Sequence, residues 1–453
     1  MKAYVIGLGR SGVAAARLLK KQGWETIISD RGTSQSLQAR QSSLAEEGIT
    51  VKLEDTPTLE TLKTVDLVIV SPGVPWDVPI LVRAREENIP MYGEIELAWR
   101  SLKEIPWVGI TGTNGKTTTT ALCSALFEGA GFHAPACGNI GYAACELGLE
   151  DTPLDWVIAE ISSYQIESSQ EIAPEIGVWT TFSPDHLERH YTLENYFGIK
   201  KSLLDRAQLK LINGDDPYLR SLEDQDWSNL YWTSIRGESQ LLGKPNHGVY
   251  IEGEEVFAFG EKVLNVRDFP MVGEHNLQNL LLAVGAARLA GVEKSAIAQS
   301  IFHFKGVPHR LEFICKIEGV PFINDSKATN YEAAWVGLSS VSPPVILIAG
   351  GQGKTGNDQH WFNLIEEKAH TVLLIGETAT KFAQRLEEMN YYSYQIVETM
   401  ERAVTAAVEM VKRKEGSVVL LSPACASFDQ YENFEQRGDH FRSLCLNYLA
   451  RES

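Results

Sequence analysis

The sequence predicts an α/β protein of three domains, each built around a largely parallel sheet. Three Gly-rich turns carry this prediction, at residues 7–12, 109–115 and 350–356. Each follows a short apolar run that reads as a buried strand and precedes a helical pattern. Such a turn lies at the carboxyl edge of an open parallel sheet, where ligands bind. The length agrees, because 453 residues exceed what one hydrophobic core supports, and roughly two to four domains are expected.

Composition narrows the function. Hydrophobic residues make up 44% and charged residues 22%, an ordinary balance for a water-soluble globular chain. The net charge of −18 argues against a nucleic-acid partner, which needs a basic face. An anionic small molecule stays compatible, since a few lysines at helix ends suffice. Cys123, Cys137, Cys145, Cys315, Cys425 and Cys445 form no C-x-x-C pair and read as reduced thiols. The N-terminus enters a strand pattern at Ala3 without the apolar stretch of a signal peptide. The longest apolar run, residues 280–287, is stopped by Arg288, far short of the ~18 residues of a membrane helix. A cytoplasmic protein without a membrane span is expected.

In the first third, Tyr4-Val-Ile6 runs into Gly7-Leu-Gly9-Arg-Ser11-Gly12 and a helical stretch to Lys20. A second strand, residues 26–28, ends at Asp30, and a third, residues 67–70, ends in Ser71-Pro-Gly73. This is the Gly-x-Gly-x-x-Gly fingerprint of a Rossmann-like unit, with an acidic residue after the second strand. From the residues alone three readings stay open. NAD would place Asp30 on a ribose hydroxyl, another diphosphate would sit at the helix N-terminus, and the turn would otherwise be structural.

The middle third holds the strongest single motif. A buried strand at residues 107–110 leads into Gly112-Thr113-Asn114-Gly115-Lys116-Thr117, then a helical pattern from Thr118 to Phe127. Backbone N–H groups of such a turn face phosphate oxygens, the lysine reaches the β- and γ-phosphates, and the threonine hydroxyl sits on Mg²⁺. The match to G-x-x-x-x-G-K-[ST] is imperfect, since Ile110 occupies the first glycine position between Gly109 and Gly112. A strand at residues 156–159 ends at Glu160. A carboxylate there suits Mg²⁺, or is a surface strand end. A strand at residues 178–182 leads to Asp185-His186, which suits acid/base or metal chemistry or a structural histidine. Thr192 is expected to cap a helix carrying Lys200 and Lys201; spacing alone favours a solvated face for that pair. Residues 227–270 read as an irregular β region covering one side, and a helix from residue 273 through Ala287 carries Asn276 and Asn279.

In the last third, Gly306-Val-Pro-His-Arg310 reads as a hinge or linker. Asn324-Asp325-Ser-Lys327-Ala-Thr329 puts a polar cluster at a strand end. A strand at residues 345–349 feeds Gly350-Gly-Gln-Gly353-Lys354-Thr355-Gly356, a second loop suited to an anion. A strand at residues 418–421 feeds the polar loop of residues 422–430.

Together, Gly112-Thr-Asn-Gly-Lys-Thr117, Glu160-Ile-Ser-Ser-Tyr-Gln165, Asp185-His186, His275-Asn276 and Pro308-His-Arg310 resemble the general motifs of the Mur ligase family of peptidoglycan synthesis. Asn324-Asp-Ser-Lys-Ala-Thr329, Ser422-Pro-Ala-Cys-Ala-Ser-Phe-Asp-Gln430 and Asn433-Phe-Glu-Gln-Arg-Gly438 resemble its glutamate-adding branch. The resemblance covers the whole chain and displaces NAD, because the family's N-terminal domain holds the UDP of the substrate. It implies an N-terminal Rossmann-like domain at residues 1–94, a central P-loop ATPase-like domain at 95–305 and a C-terminal Rossmann-like, amino-acid-binding domain at 306–453. The activity implied is ATP-dependent addition of D-glutamate to UDP-N-acetylmuramoyl-L-alanine through an acyl phosphate, by a monomer using ATP and two Mg²⁺ ions.

The same resemblance implies the residue roles. Lys116, His186 and Lys200 are catalytic. Gly112, Thr113, Asn114, Gly115, Lys116, Thr117, Thr118, Asn279, Arg310 and Asp325 serve ATP. Thr117, Glu160 and His186 are metal ligands, joined by Lys200 once carbamylated by CO₂. Carbamylation turns a cation into an anionic oxygen ligand and requires an amine that is neutral part of the time; Lys201 is the rival lysine. Ser11, Asp30, Ser71, Gly73 and Asn139 resemble the UDP-sugar contacts, although Arg31-Gly32-Thr33 follows Asp30 where some relatives place Thr-Arg. Lys327, Thr329, Lys354, Ser427 and Phe434 resemble the D-glutamate contacts. Closure of the C-terminal domain is expected to align the reacting atoms.

Overall fold

A computed structural model describes residues 1–139, 141–224, 227–271, 273–353, 356–413 and 418–452. The chain forms two compact units, residues 1–304 and 305–453.

The first unit contains two sheets. The N-terminal one is all parallel, in the order Thr50–Lys52, Glu25–Ser29, Lys2–Ile6, Leu67–Val70, Met91–Gly93. Leu67–Val70 is buried throughout, as a parallel strand covered on both faces must be, which is why it reads as an unbroken apolar run. The helix Arg10–Lys21 lies over this sheet on Ala14, Ala15, Ala16, Leu18 and Leu19. Its close approach needs Gly12, where a Cβ would stand 1.9 Å from the carbonyl oxygen of Gly7.

The central sheet has nine strands, in the order Glu261–Asn265, Glu255–Ala258, Gly248–Glu252, Leu230–Ser234, Leu209–Asn213, Ile176–Trp179, Trp107–Thr111, Val157–Glu160, Ala136–Gly138. The pairings are parallel from Ala136–Gly138 to Gly248–Glu252, and the last two strands join antiparallel. Residues 227–270 are therefore no separate irregular layer: their strands continue this sheet. Gly253 and Gly260 take positive φ in the two tight turns, while Trp232 and Tyr250 face the core. The strand expected to run to Phe182 stops at Trp179, because Thr180 and Thr181 turn to bond the Gly-rich loop. The helix Glu274–Leu289 buries Leu280 through Ala287 on all sides and packs on Lys116–Gly129.

The two sheets of this unit share one apolar core. The helices Arg10–Lys21, Glu94–Ser101 and Ala144–Leu147 meet through Leu18, Ile95, Leu97, Ala98, Cys145 and Leu147. Residue 94, the expected last residue of the first domain, opens one of these helices.

The second unit holds a six-stranded sheet ordered Glu312–Ile317, Val320–Asn324, Val418–Leu421, Val345–Gly350, Ala369–Ile375, Tyr394–Glu398. Its first two strands form an antiparallel hairpin and the rest pair in parallel. Among the described residues, no helix is long and apolar enough to cross a membrane.

Candidate functional site

The central site begins at the loop between Trp107–Thr111 and Lys116–Gly129. Gly112 and Gly115 both take positive φ, and a Cβ on Gly115 would meet Asn279 Oδ1 at 2.4 Å. These glycines let the backbone curl tightly enough to aim its N–H groups at one point. Neighbouring segments pin the curl. Asn114 N donates to Thr181 Oγ1 at 2.8 Å, Thr113 N to Thr181 O at 2.8 Å, and Thr119 Oγ1 to Asn279 Oδ1 at 3.3 Å. Lys116 Nζ folds over the loop, donating to Gly112 O at 2.9 Å and Thr113 O at 2.8 Å. Thr117 and Thr118 are buried in the first helical turn.

Glu160 pairs with Ile110, beside the strand that feeds this loop. Its side chain is buried, and Oε1 accepts from Asn139 Nδ2 at 2.8 Å. Asn139, expected to contact the UDP-sugar, thus stands by Glu160 at the end of the strand Ala136–Gly138. His186 sits at the N-cap of the short helix Leu187–His190 with a left-handed φ of 54°. Its Nδ1 lies 3.0 Å from Tyr164 Oη, and its Nε2 is 3.4 Å from Asp185 Oδ2.

Lys200 lies on the helix Leu193–Arg206, capped by the Thr192 side chain as its sequence predicts. Its ammonium is not solvated. The residue is 1% exposed, and Nζ donates to Gly112 O at 2.8 Å. Burial first, and then the Lys116 charge, hold this amine well below the usual lysine range, against the opposing pull of Asp185 and Glu160. Lys201 points outward and donates to Asp205 Oδ1 at 2.6 Å. Of the two lysines, only Lys200 joins Lys116, Glu160 and Asp185.

These residues suit Mg²⁺. Among the described residues no three His, Cys, Asp or Glu side chains gather as a metal cage. Mg²⁺ needs none, since it is usually held by one or two carboxylates together with water and phosphate oxygens. The buried Glu160 carboxylate beside a phosphate-type loop is such a donor. A buried amine biased toward its neutral form also suits capture of CO₂.

On the N-terminal sheet, a cavity of about 210 Å³ is lined by Gly7, Asp30, Arg31, Asp55, Gly73 and Val78, among others. Asp30 Oδ2 accepts from Leu8 N and Oδ1 from Gly32 N, both at 2.8 Å, so its carboxylate shapes the cavity wall. Ser71 Oγ donates to Gly7 O at 3.1 Å and props the Gly-rich turn from behind. Ser11 is half-buried in the first turn of Arg10–Lys21.

In the second unit, Asp325 follows the strand Val320–Asn324 and is buried. Its Oδ2 accepts from Ser422 Oγ at 2.9 Å. Burial pushes its carboxyl up to about 7, partly offset by the Arg310 charge and the Ser422 bond. Lys327 Nζ lies 5.2 Å over the Phe434 ring. Thr329 follows in a turn closed by its own N–H on Lys327 O. Ser427 is buried, and its hydroxyl has no hydrogen-bond partner among the described residues. Lys354, the remaining residue expected to contact D-glutamate, lies outside the described residues. Arg437 is 1% exposed and, among the described residues, donates to main-chain carbonyls and a hydroxyl. Nη2 donates to Ser326 O at 2.8 Å and to Cys425 O at 3.0 Å, Nη1 to Ala426 O at 3.2 Å, and Nε to Ser326 Oγ at 3.0 Å. This guanidinium ties the Asp325–Lys327 turn to the loop that carries Ser427.

Four residues received no role of their own from the sequence: Tyr164 and Arg437, which lie inside quoted motifs, and His190 and Tyr196. For the last two the signal was spacing. His190 is four residues after His186 and Tyr196 four before Lys200, the spacing that puts side chains on one helical face. Burial of the His190 ring, then the nearby His186 charge, lower its pKa to about 4, so it is neutral at pH 7.

Known proteins resemble this chain over its whole length. The Mur ligase MurD-like N-terminal domain matches residues 1–93, the Mur ligase middle domain residues 110–287, and the Mur ligase glutamate ligase domain residues 309–425. The UDP-N-acetylmuramoylalanine--D-glutamate ligase of Rippkaea orientalis is 61% identical over 448 residues, covering 98% of each chain. That of Gloeothece citriformis is 61% identical over 445 residues, 98% of this chain and 99% of the relative. Among solved structures, the UDP-N-acetylmuramate-alanine ligase MurC of Thermotoga maritima superposes with a TM-score of 0.60 at 18% identity, over 99% of this chain and all of that one. A pseudomurein peptide ligase type C from Methanothermus fervidus gives 0.61 at 19% identity, over 99% of each chain. At such identities these two share the fold. On the matched domains and the full-length relatives, the chain belongs to the Mur ligase family.

Proposed function

We infer that the chain is an ATP-dependent ligase that adds D-glutamate to UDP-N-acetylmuramoyl-L-alanine in peptidoglycan precursor synthesis. One observation carries this reading: 61% identity over 98% of the chain to a ligase of that name. The central site supports the chemistry. The loop N–H groups and Lys116 would hold the ATP phosphates. Thr117 and Glu160 would hold one Mg²⁺, and His186 with carbamylated Lys200 the other. When bound, these ions neutralise charge on the transferring phosphoryl group, the main demand of such a reaction. The substrate carboxylate attacks the γ-phosphate and forms an acyl phosphate with release of ADP. The D-glutamate amine then attacks the acyl carbon, and phosphate leaves as the amide forms.

With its pKa held well below the usual lysine range, Lys200 offers its amine lone pair to CO₂ more readily, and the resulting carbamate would be stabilised by Lys116. The N-terminal cavity, bounded by Asp30 and Gly73, supports UDP binding there, with Ser11 and Ser71 shaping its turn and Asn139 serving through Glu160. Asn279 would serve ATP by fixing the loop. On the second unit, Arg310 and Asp325 would serve ATP, and Lys327, Thr329, Lys354, Ser427 and Phe434 would receive D-glutamate. The domains are proposed at 1–94, 95–305 and 306–453, in a monomeric cytoplasmic enzyme.

The test is phosphate release from ATP with UDP-N-acetylmuramoyl-L-alanine and D-glutamate, L-glutamate or other amino acids. Release with D-glutamate alone is expected, and Lys116→Ala should abolish it. Release with another amino acid would move the specificity, and substantial turnover by Lys116→Ala would overturn the phosphate-loop assignment.

A further inference from the structure

His190 has no role in the chemistry above, yet it lies where three parts of the central site meet. Its ring is fully buried on the short helix that His186 begins. On one side the Tyr196 ring stacks at 5.4 Å and 25°, and on another the Tyr164 ring lies at 5.4 Å and 43°. Its Nε2 is 2.9 Å from Ser163 Oγ, and its Nδ1 has no partner among the described residues.

Each neighbour holds a different functional group. The Tyr164 hydroxyl is 3.0 Å from His186 Nδ1. The Tyr196 ring lies 4.8 Å beneath Lys200 Nζ, and its hydroxyl is 3.2 Å from Thr113 Oγ1 in the phosphate loop. Ser163 opens the helix Ser163–Glu167, three residues after Glu160. A shift of the His190 ring would therefore move the supports of His186 and Lys200 in different directions. A residue chosen only to fill this space could be any apolar side chain. A planar ring with a nitrogen aimed at Ser163 fixes both ring positions and rotation, which filling does not require.

We propose that His190 is a positioning residue: the stack Tyr164–His190–Tyr196, pinned to Ser163, sets the spacing between His186 and Lys200. This rests on the ligase reading above, in which those two residues flank the second Mg²⁺.

Two variants separate the parts of the device. His190→Phe keeps a stacked ring and loses the Ser163 bond. His190→Gln keeps an amide nitrogen near the Nε2 position and loses the stack. Folding is followed by thermal denaturation, and turnover by phosphate release with D-glutamate. Metal binding is followed by Mn²⁺ titration with electron paramagnetic resonance, in the presence of UDP-N-acetylmuramoyl-L-alanine and a non-hydrolysable ATP analogue.

Loss of an outer support usually weakens a metal site by about 10- to 100-fold. Both variants are expected to fold and to lose roughly tenfold or more in kcat and in affinity for the weaker Mn²⁺ site. The KM values for both carboxylate substrates should stay within about threefold, since His190 touches neither of their proposed contact sets. A folded variant with unchanged kcat and Mn²⁺ affinity overturns the proposal. So does failure of both variants to fold, which would make His190 a core residue only. If the unaltered protein released no phosphate with any amino acid, the ligase reading itself would fall; normal turnover with unperturbed His190 variants would remove only the positioning role.

Discussion

Removing the amine of Lys200 should separate stability from catalysis. Lys200→Met keeps the length and apolar stem of the side chain and deletes a buried nitrogen that donates to Gly112 O at 2.8 Å. That bond is worth about 1 kcal/mol net. Against it stands the cost of the amine's surroundings: burial and the Lys116 charge hold its pKa well below 10.5 in the folded protein. Between the lowered folded value and 10.5 the unfolded chain binds more protons than the folded one, so this group makes stability rise with pH. The slope for one proton is about 1.4 kcal/mol per pH unit. In CO₂-free buffer, urea unfolding of both proteins at pH 8.0, 8.5 and 9.0 should show the variant relatively more stable at the lowest pH. The gap should shrink as the pH rises, by at most about 1.4 kcal/mol over that unit. Phosphate release by the variant should fall by at least about 100-fold and should not recover with bicarbonate. Parallel stability curves for the two proteins would refute the claim that burial lowers the Lys200 pKa. Near-normal turnover by the variant would refute its catalytic role.

Glu160→Gln keeps the bond from Asn139 and removes the charge; the Mg²⁺ concentration for half-maximal turnover should rise by about tenfold or more, read from a Mg²⁺ titration of phosphate release. Arg437→Met strips four hydrogen bonds from buried acceptors and should cost the second unit about 3 kcal/mol in urea unfolding, with a raised KM for D-glutamate. Asp325 runs opposite to Lys200: its folded pKa of about 7 lies above the ordinary 3.8, so the folded state holds the extra proton and stability drops as pH rises between those values. Asp325→Asn should remove that drop, seen as a flatter unfolding midpoint from pH 4.5 to 7.

Much of the fold was legible because parallel strands covered on both faces are apolar runs, and their Gly-rich ends are local features. The helix cap at Thr192 was legible for the same reason, since a hydroxyl satisfies an N–H three residues on. Residues 227–270 misled because glycines and aromatics look irregular in a line of sequence. In the fold the glycines sit in turns, and backbone pairing with Leu209–Asn213 makes the strands regular. Lys200 shows the sharpest limit. Two adjacent lysines on a helix suggest a solvated face, and nothing local distinguishes them. The fold turns one into the core beside Gly112 and the other out to Asp205.

By itself the sequence determined the strand-turn-helix units, the Gly-rich loop at residues 112–117 and the identity of the acidic, basic and hydroxyl groups that could serve it. These depend on periodicity and on conformational demands within a few residues. The tertiary structure alone decided which of those groups are desolvated and which meet: the buried Lys200 amine with its lowered pKa, the raised pKa of Asp325, the Arg437 clamp and the ring stack through His190. Desolvation and stacking come from residues far apart in the chain, brought together only when the sheets and their helices pack.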